Sequence, residues 1–342
     1  MNRELYIGVD VSKSWLDLAC YDGVEVDWKH GHIRVDNKES GYILIDKWLK
    51  KLGVNRGCVL FCMEHTGLYC QNFRLWLERK GFVYGMVQPR KMHRFEPDLG
   101  ENERALDRIK TDEMDSFRIA IYCEKHCRKI KASPSKLPGE AYFKLKRLMA
   151  ERKQYTRQSV LYKQHLHDIS VYDTEGSRER KKAGLGLLTE QIRLTDREIQ
   201  GIIENDPALS RNYDLLRSIK GVGLVVAVET IILTENFTSI TNPRKYACYI
   251  GIAPAKKESG VSVRGGEHVS RKGFTQVKAD LSLTCLVAIR HNPDIKAYWE
   301  RKKAEGKHSG VVLNAVKFKL VLRMFAVIKR QKPHVEIDAY KR

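Results

Sequence analysis

Short apolar runs broken by polar punctuation dominate the first third of the chain. Residues 5–9 (Leu-Tyr-Ile-Gly-Val) and 15–20 predict strands, and 32–35 predict a short third strand. Residues 40–52 carry the three-four spacing of a helix. Residues 58–63 form a continuous apolar run, as a strand buried on both faces requires. A helix over 68–80, a strand over 82–88 and a helix over 111–127 follow. Strands alternating with helices in this way predict a mixed α/β sheet.

The middle third changes period. Residues 139–169 are long, polar and free of proline, with Leu145, Leu148, Tyr155, Tyr162 and Leu166 on a gapped three-four spacing. A cleaner seam runs through Leu185, Leu188, Ile192, Thr195, Ile199 and Ile202. It resembles a coiled-coil stripe. A charged connector, Thr174-Glu-Gly-Ser-Arg-Glu-Arg-Lys-Lys, lies between the two. The simplest structure is a long helical hairpin, either an intramolecular pair or an oligomerisation element. Asp206-Pro207 ends this region. Gly221-Val-Gly223 then separates two helical patterns in the manner of a helix–hairpin–helix turn, where backbone N–H groups can hold a phosphate. A plain helix–helix turn is the competing reading. Helices are predicted over 275–290 and 309–329, with a glycine-rich basic insert over 256–273. The expected divisions are 1–130, 131–207 and 208–342.

Charge narrows the function classes. The 342 residues hold 62 Lys+Arg against 42 Asp+Glu, a formal charge of +20. Such an excess suits a binder of nucleic-acid backbone. No run of eighteen apolar residues predicts a spanning helix, so no membrane partner is expected. The start, Met1-Asn-Arg-Glu-Leu, lacks the apolar core of a signal peptide, which predicts a cytoplasmic protein. Eight cysteines without framework spacing predict reduced thiols. Cys62/His65/Cys70 and Cys123/His126/Cys127 are local groups, but neither has paired Cys-x-x-Cys spacing, so structural zinc is not expected.

Against this basic background four acids stand out. Asp10 closes one apolar run and Glu64 closes another, and runs so apolar are not solvent-exposed. Asp112 and Asp115 fall on one helix face at i, i+3. Carboxylates on strand ends and an adjacent helix can converge as hard oxygen ligands for one or two divalent ions. The competing reading is four solvated surface acids.

The basic insert offers the other chemistry. It holds Lys256, Lys257, Arg264, Arg271 and Lys272 among glycines, with Ser259, Ser262 and Ser270. Glycine lets backbone approach a phosphate, and arginine grips it bidentately. One reading is a phosphate-binding loop. The other makes one serine a nucleophile activated by nearby positive charge or metal. No Ser/His/Asp order supports acyl transfer.

Together these pieces are similar to the IS110-family transposases, serine recombinases guided by a bridge RNA. The motifs are Tyr6-Ile-Gly-Val-Asp10, Glu64-His-Thr-Gly-Leu-Tyr69, Lys110-Thr-Asp112-Glu-Met-Asp115, Leu216-Arg-Ser-Ile-Lys-Gly-Val-Gly223, Tyr249-Ile-Gly-Ile-Ala-Pro254 and Glu258-Ser-Gly-Val-Ser-Val-Arg-Gly265. They run in order over nearly the whole chain. His65 and Lys220 depart from the family pattern without removing a catalytic group. The resemblance implies α/β plus all-α architecture. A ribonuclease H-type, RuvC-like mixed sheet would be followed by a helical hairpin or coiled coil and a mostly helical transposase domain.

It also implies roles. The family's four acids fall on Asp10, Glu64, Asp112 and Asp115, which would hold Mg²⁺. Its nucleophile falls on Ser259. Arg264 is the expected charge stabiliser, with Lys272 and His268 behind it. Lys256, Lys257, Arg271, Gly221 and Gly223 are expected against nucleic acid. The partners implied are donor and target DNA, a structured guide RNA, and further copies of the chain as a dimer or a tetramer on DNA. The alternative is a hydrolytic RuvC-like nuclease in which the acids activate water. A non-catalytic binding protein is disfavoured because all five groups are present. An actin-like ATPase is disfavoured because the N-terminal half lacks further glycine-rich phosphate loops.

Overall fold

The computed structural model describes residues 4–24, 30–95, 111–168, 172–259, 263–269 and 274–335. Contacts within the chain divide it into two units, Met1–Leu137 and Pro138–Arg342.

The first unit is built on a five-stranded sheet of order β3-β2-β1-β4-β5. Its strands are β1 (Leu5–Val11), β2 (Trp15–Tyr21), β3 (His32–Asp36), β4 (Val59–Glu64) and β5 (Val83–Val87). β1, β2 and β3 pair antiparallel, while β1, β4 and β5 pair parallel. This is the mixed α/β sheet expected of a RuvC-like part. Two helices, α1 (Glu39–Lys51) and α2 (Gln71–Lys80), contribute to the core on one face. That core gathers Ile7, Val9, Leu16, Leu18, Phe61 and Met63 with Tyr42, Ile45, Phe73 and Trp76. A short turn of helix, α3 (Pro89–Met92), follows β5.

The opposite face is covered by α4 (Asp112–Lys125), with α5 (Cys127–Ala132) after it. Strand alternation sends Tyr6, Leu60 and Cys62 to this side, where they pack with Ile119 and Cys123 of α4. Gly8 lies on the same face and has a specific purpose. A Cβ built there would lie 2.0 Å from the Ser116 carbonyl oxygen and 2.2 Å from the Ala120 nitrogen. Only glycine lets α4 lie directly on β1. Thr111 caps the helix by accepting a hydrogen bond from the Met114 N–H. Thr111→Ala is therefore expected to cost about 1 kcal/mol, read as a lowered urea midpoint with unchanged slope. Beyond β5, the Ser135 N–H donates to the Tyr84 carbonyl and the Met86 N–H donates to Ser135 Oγ.

The second unit is mostly helical. Two long helices, α6 (Glu140–His167) and α7 (Glu175–Glu204), run against each other. Leu145, Leu148, Met149, Ile199 and Ile203 tie their base into one core with the helices that follow. These are α8 (Pro207–Arg217), α9 (Leu224–Thr234), α10 (Pro243–Ile250), α11 (Thr275–His291), α12 (Pro293–Ala304) and α13 (Ser309–Arg330). Asp206 caps α8 by accepting from the Ala208 and Leu209 N–H groups, with Pro207 at the first helical position. Further along the two helices, beside the seam positions, Val160, Leu161, Leu187 and Leu194 are exposed.

One element differs from the expected glycine-rich loop. The insert forms an antiparallel hairpin of β6 (Pro254–Ser259) and β7 (Val263–Val269), with a register shift between Ala255 and Lys257. Glycine and lysine have low strand propensity, which hides this hairpin from local composition.

Candidate metal and nucleic-acid site

The four acids of the first unit come from three elements. Asp10 lies near the end of β1, and Glu64 is the last residue of β4. The parallel register pairs Val9 with Met63, so the next residues, Asp10 and Glu64, are neighbours on adjacent strands. Alternation turns both toward the α4 side of the sheet. Asp112 and Asp115 occupy the first turn of α4 on that side. Contact between α4 and β1 through Gly8 fixes the height of that turn above the strands.

The electrostatics register this crowding. Burial pushes the Asp10 carboxyl up to about 6, and the charges of Asp112, Asp115 and Asp17 push it the same way. Carboxylates are the donors Mg²⁺ takes, and like charges turned to one face are what a divalent ion would relieve. The set therefore fits such an ion in donor chemistry and in facing. It is open in spacing: among the described residues no three His, Cys, Asp or Glu side chains form a ready cage.

Three partners of these acids are hidden in the sequence. Asp17 of β2 is 1% exposed. It accepts hydrogen bonds from Arg34 Nε at 2.9 and 3.1 Å, and His32 Nε2 lies 2.9 Å from it. Arg34 Nη2 also donates to Asp112 Oδ2 at 3.0 Å. Asp115 has a longer ion pair with Arg118, 3.8 Å. In the run Trp15-Leu16-Asp17-Leu18, the aspartate looks like the solvent side of a half-buried strand. Its alternation with Leu16 and Leu18 was the available signal, but the covering helix comes from far along the chain.

The cysteine groups serve packing. Cys123 Sγ donates to the Leu60 carbonyl at 3.6 Å, and Cys70 Sγ to that of Gly67 at 3.3 Å. Burial raises the Cys123 thiol well above its ordinary value, with Cys62 beside it adding to the shift.

The remaining predicted residues belong to the second unit. Ser259 closes β6 and pairs with Val263. Lys257 pairs with Gly265, and Glu258 with Arg264. Lys256 lies in β6 and His268 in β7. The hairpin thus brings Ser259 and Arg264 to one end of a single two-stranded element. Ser262, Ser270, Arg271 and Lys272 lie outside the described residues. Gly221 has φ +97°, and a Cβ there would meet the Thr284 carbonyl of α11 at 2.9 Å. Its absence of side chain serves turn geometry and close packing. Gly223 precedes α9 as its N-cap. Both glycines line a cavity of about 430 Å³ with Arg152, Lys153, Arg157 and Gln276.

Two family models match the chain in succession. A model of the DEDD type of IS110 elements, described as "Transposase", matches residues 7–169. A second, described as "Transposase IS116/IS110/IS902 family", matches residues 213–300. The pilin gene-inverting protein of Moraxella lacunata is 23% identical over 96% of this chain and 97% of its own length. The Moraxella bovis protein of the same name is 22% identical over the same shares. An insertion element IS110 protein of Streptomyces coelicolor is 28% identical over 43% of this chain and 35% of its own.

The fold and these matches define a transposase or recombinase acting on DNA. The chain belongs to the IS110 family of transposases. Its DEDD domain is a RuvC-like nuclease fold, a class that typically uses divalent metal. Among the described residues no helix is long and apolar enough to cross a membrane.

Proposed function

We propose that this protein exchanges DNA strands at specific sites through a covalent phosphoserine intermediate, guided by a structured RNA. The observation that carries the reading is the shared facing of Asp10, Glu64, Asp112 and Asp115 in a chain of this family. These acids would hold Mg²⁺, which supplies charge neutralisation at the scissile phosphate.

Ser259 Oγ attacks phosphorus and loses its proton. The bond from phosphorus to the 3′ oxygen breaks, and that oxygen leaves as a 3′-hydroxyl carrying a proton. A 3′-hydroxyl from another strand then attacks the phosphoserine and restores the serine. Bond energy is conserved throughout, so no ATP is needed. Arg264, Lys272 and His268 are the groups suited to stabilise charge beside the serine. Lys256, Lys257, Arg271 and the turn at Gly221 and Gly223 hold nucleic-acid backbone.

Guide RNA delegates sequence reading to base pairing, and the excess of 62 basic over 42 acidic residues supplies backbone affinity. The acids and the serine belong to different units of the chain. A dimer, or a tetramer on two duplexes, would allow one copy to supply acids and another the serine.

The test is a trap. The full chain, its flanking RNA and a nicked suicide DNA are incubated with Mg²⁺, and denaturant-resistant protein–DNA adducts are mapped. The expected result is an adduct on Ser259 that disappears with chelator. Cleaved ends without an adduct, persisting in Ser259→Ala, would replace the reading with a hydrolytic RuvC-like nuclease.

A further inference from the structure

Arg34 is a cation placed beside the acid site by a buried carboxylate. Its Nε donates to both oxygens of Asp17, its Nη2 donates to Asp112, and its guanidinium lies 5.6 Å from the centre of the Trp15 ring. The two ends of this bridge are unequal. Asp17 is buried, so removing its partner would strand a charge. Asp112 is half exposed, and exposed pairs are weak. The bridge therefore opens at Asp112, while Arg34 stays on Asp17. A divalent ion attracts Asp112 more strongly than one guanidinium can across solvent.

We propose that Arg34, anchored on Asp17, is an internal counter-cation that holds Asp112 until a divalent ion replaces it. The inference rests on the four-acid reading. It accounts for one of the acids being turned to an arginine while the set stays open. The same anchor reaches the next residue of α4. His32, which contacts Asp17, has Nδ1 3.9 Å from Glu113 Oε1. Arg34 is thus a positioning residue, acting through Asp112.

Mn²⁺ binding to the full chain, followed by the loss of free-ion paramagnetic signal, tests this. Arg34→Gln is expected to bind Mn²⁺ about threefold tighter, because no guanidinium must be displaced. A residue needed only for structure would leave affinity unchanged or weaken it, and either result overturns the proposal. If Arg34→Gln fails to fold, Asp17→Asn/Arg34→Gln removes the buried charge together with its partner and is expected to bind Mn²⁺ about twofold tighter, since losing the Asp17 charge near Asp10 offsets part of the gain. Wild-type protein that binds Mn²⁺ in an Asp10-dependent way, with both variants unchanged, sinks the counter-cation alone. Wild-type protein that binds no Mn²⁺, or binds it equally well as Asp10→Asn, sinks the four-acid reading and the counter-cation with it.

Discussion

Asp10→Asn protein is expected to cleave DNA about a thousandfold more slowly than wild type and yet to be harder to unfold near neutral pH. The rate loss corresponds to about 4 kcal/mol of transition-state stabilisation, the scale of a metal's charge neutralisation. The stability gain follows from the carboxyl's environment. Its pKa rises from about 4 in the unfolded chain to about 6 in the fold. Its favourable contribution is thus complete below pH 4 and lost as pH rises through 6. At pH 7 the ionised group opposes folding, and asparagine removes that opposition. Two pH units would be worth about 3 kcal/mol, and partial solvent screening reduces this to about 1 kcal/mol. Urea unfolding with chelator should show the variant more stable at pH 7 and the two proteins equal at pH 4. A wild-type protein as stable as the variant at pH 7 would contradict the crowding of the acids.

The second large effect is expected at Gly8. A methyl group there would stand 2.0 Å from the Ser116 carbonyl and 2.2 Å from the Ala120 nitrogen, both backbone atoms of α4. No side-chain rotation relieves such contacts, so β1 and α4 must separate. Gly8→Ala is expected to cost about 3 kcal/mol, the upper range for overpacking. Where the variant still folds, lifting α4 carries Asp112 and Asp115 away from Asp10. Mn²⁺ affinity should therefore fall with stability, whereas Thr111→Ala should lower stability with a smaller loss of affinity. A Gly8→Ala protein with wild-type urea midpoint would show that α4 does not sit on β1 as described.

These two positions mark what the sequence could and could not disclose. Asp10 and Glu64 were legible because each ends a run too apolar to be exposed, and Asp112 and Asp115 because one helical turn separates them. The mixed sheet and the long α6 and α7 helices follow from periodicity for the same reason: those signals are local. Gly8 stood inside the apolar run as one more small residue. Its function depends on a helix more than a hundred residues away. Asp17 had only its alternation with Leu16 and Leu18 to mark it, a pattern that predicts solvent, and α4 is what denies it solvent. The β6–β7 hairpin was missed because its strands lack the β-branched density that marks a strand.

A five-stranded sheet that stops at β5 leaves a row of backbone groups that another chain could adopt as a template. Among the described residues, Ser135 meets this edge. Ser135 donates its own N–H to Tyr84 and accepts from Met86 through its hydroxyl, satisfying one carbonyl and one N–H of the edge. A strand arriving from a neighbouring copy would first have to break both bonds. Two backbone groups of the β5 edge are thereby taken up within the chain, which blunts this side of the sheet as a template for edge-to-edge aggregation.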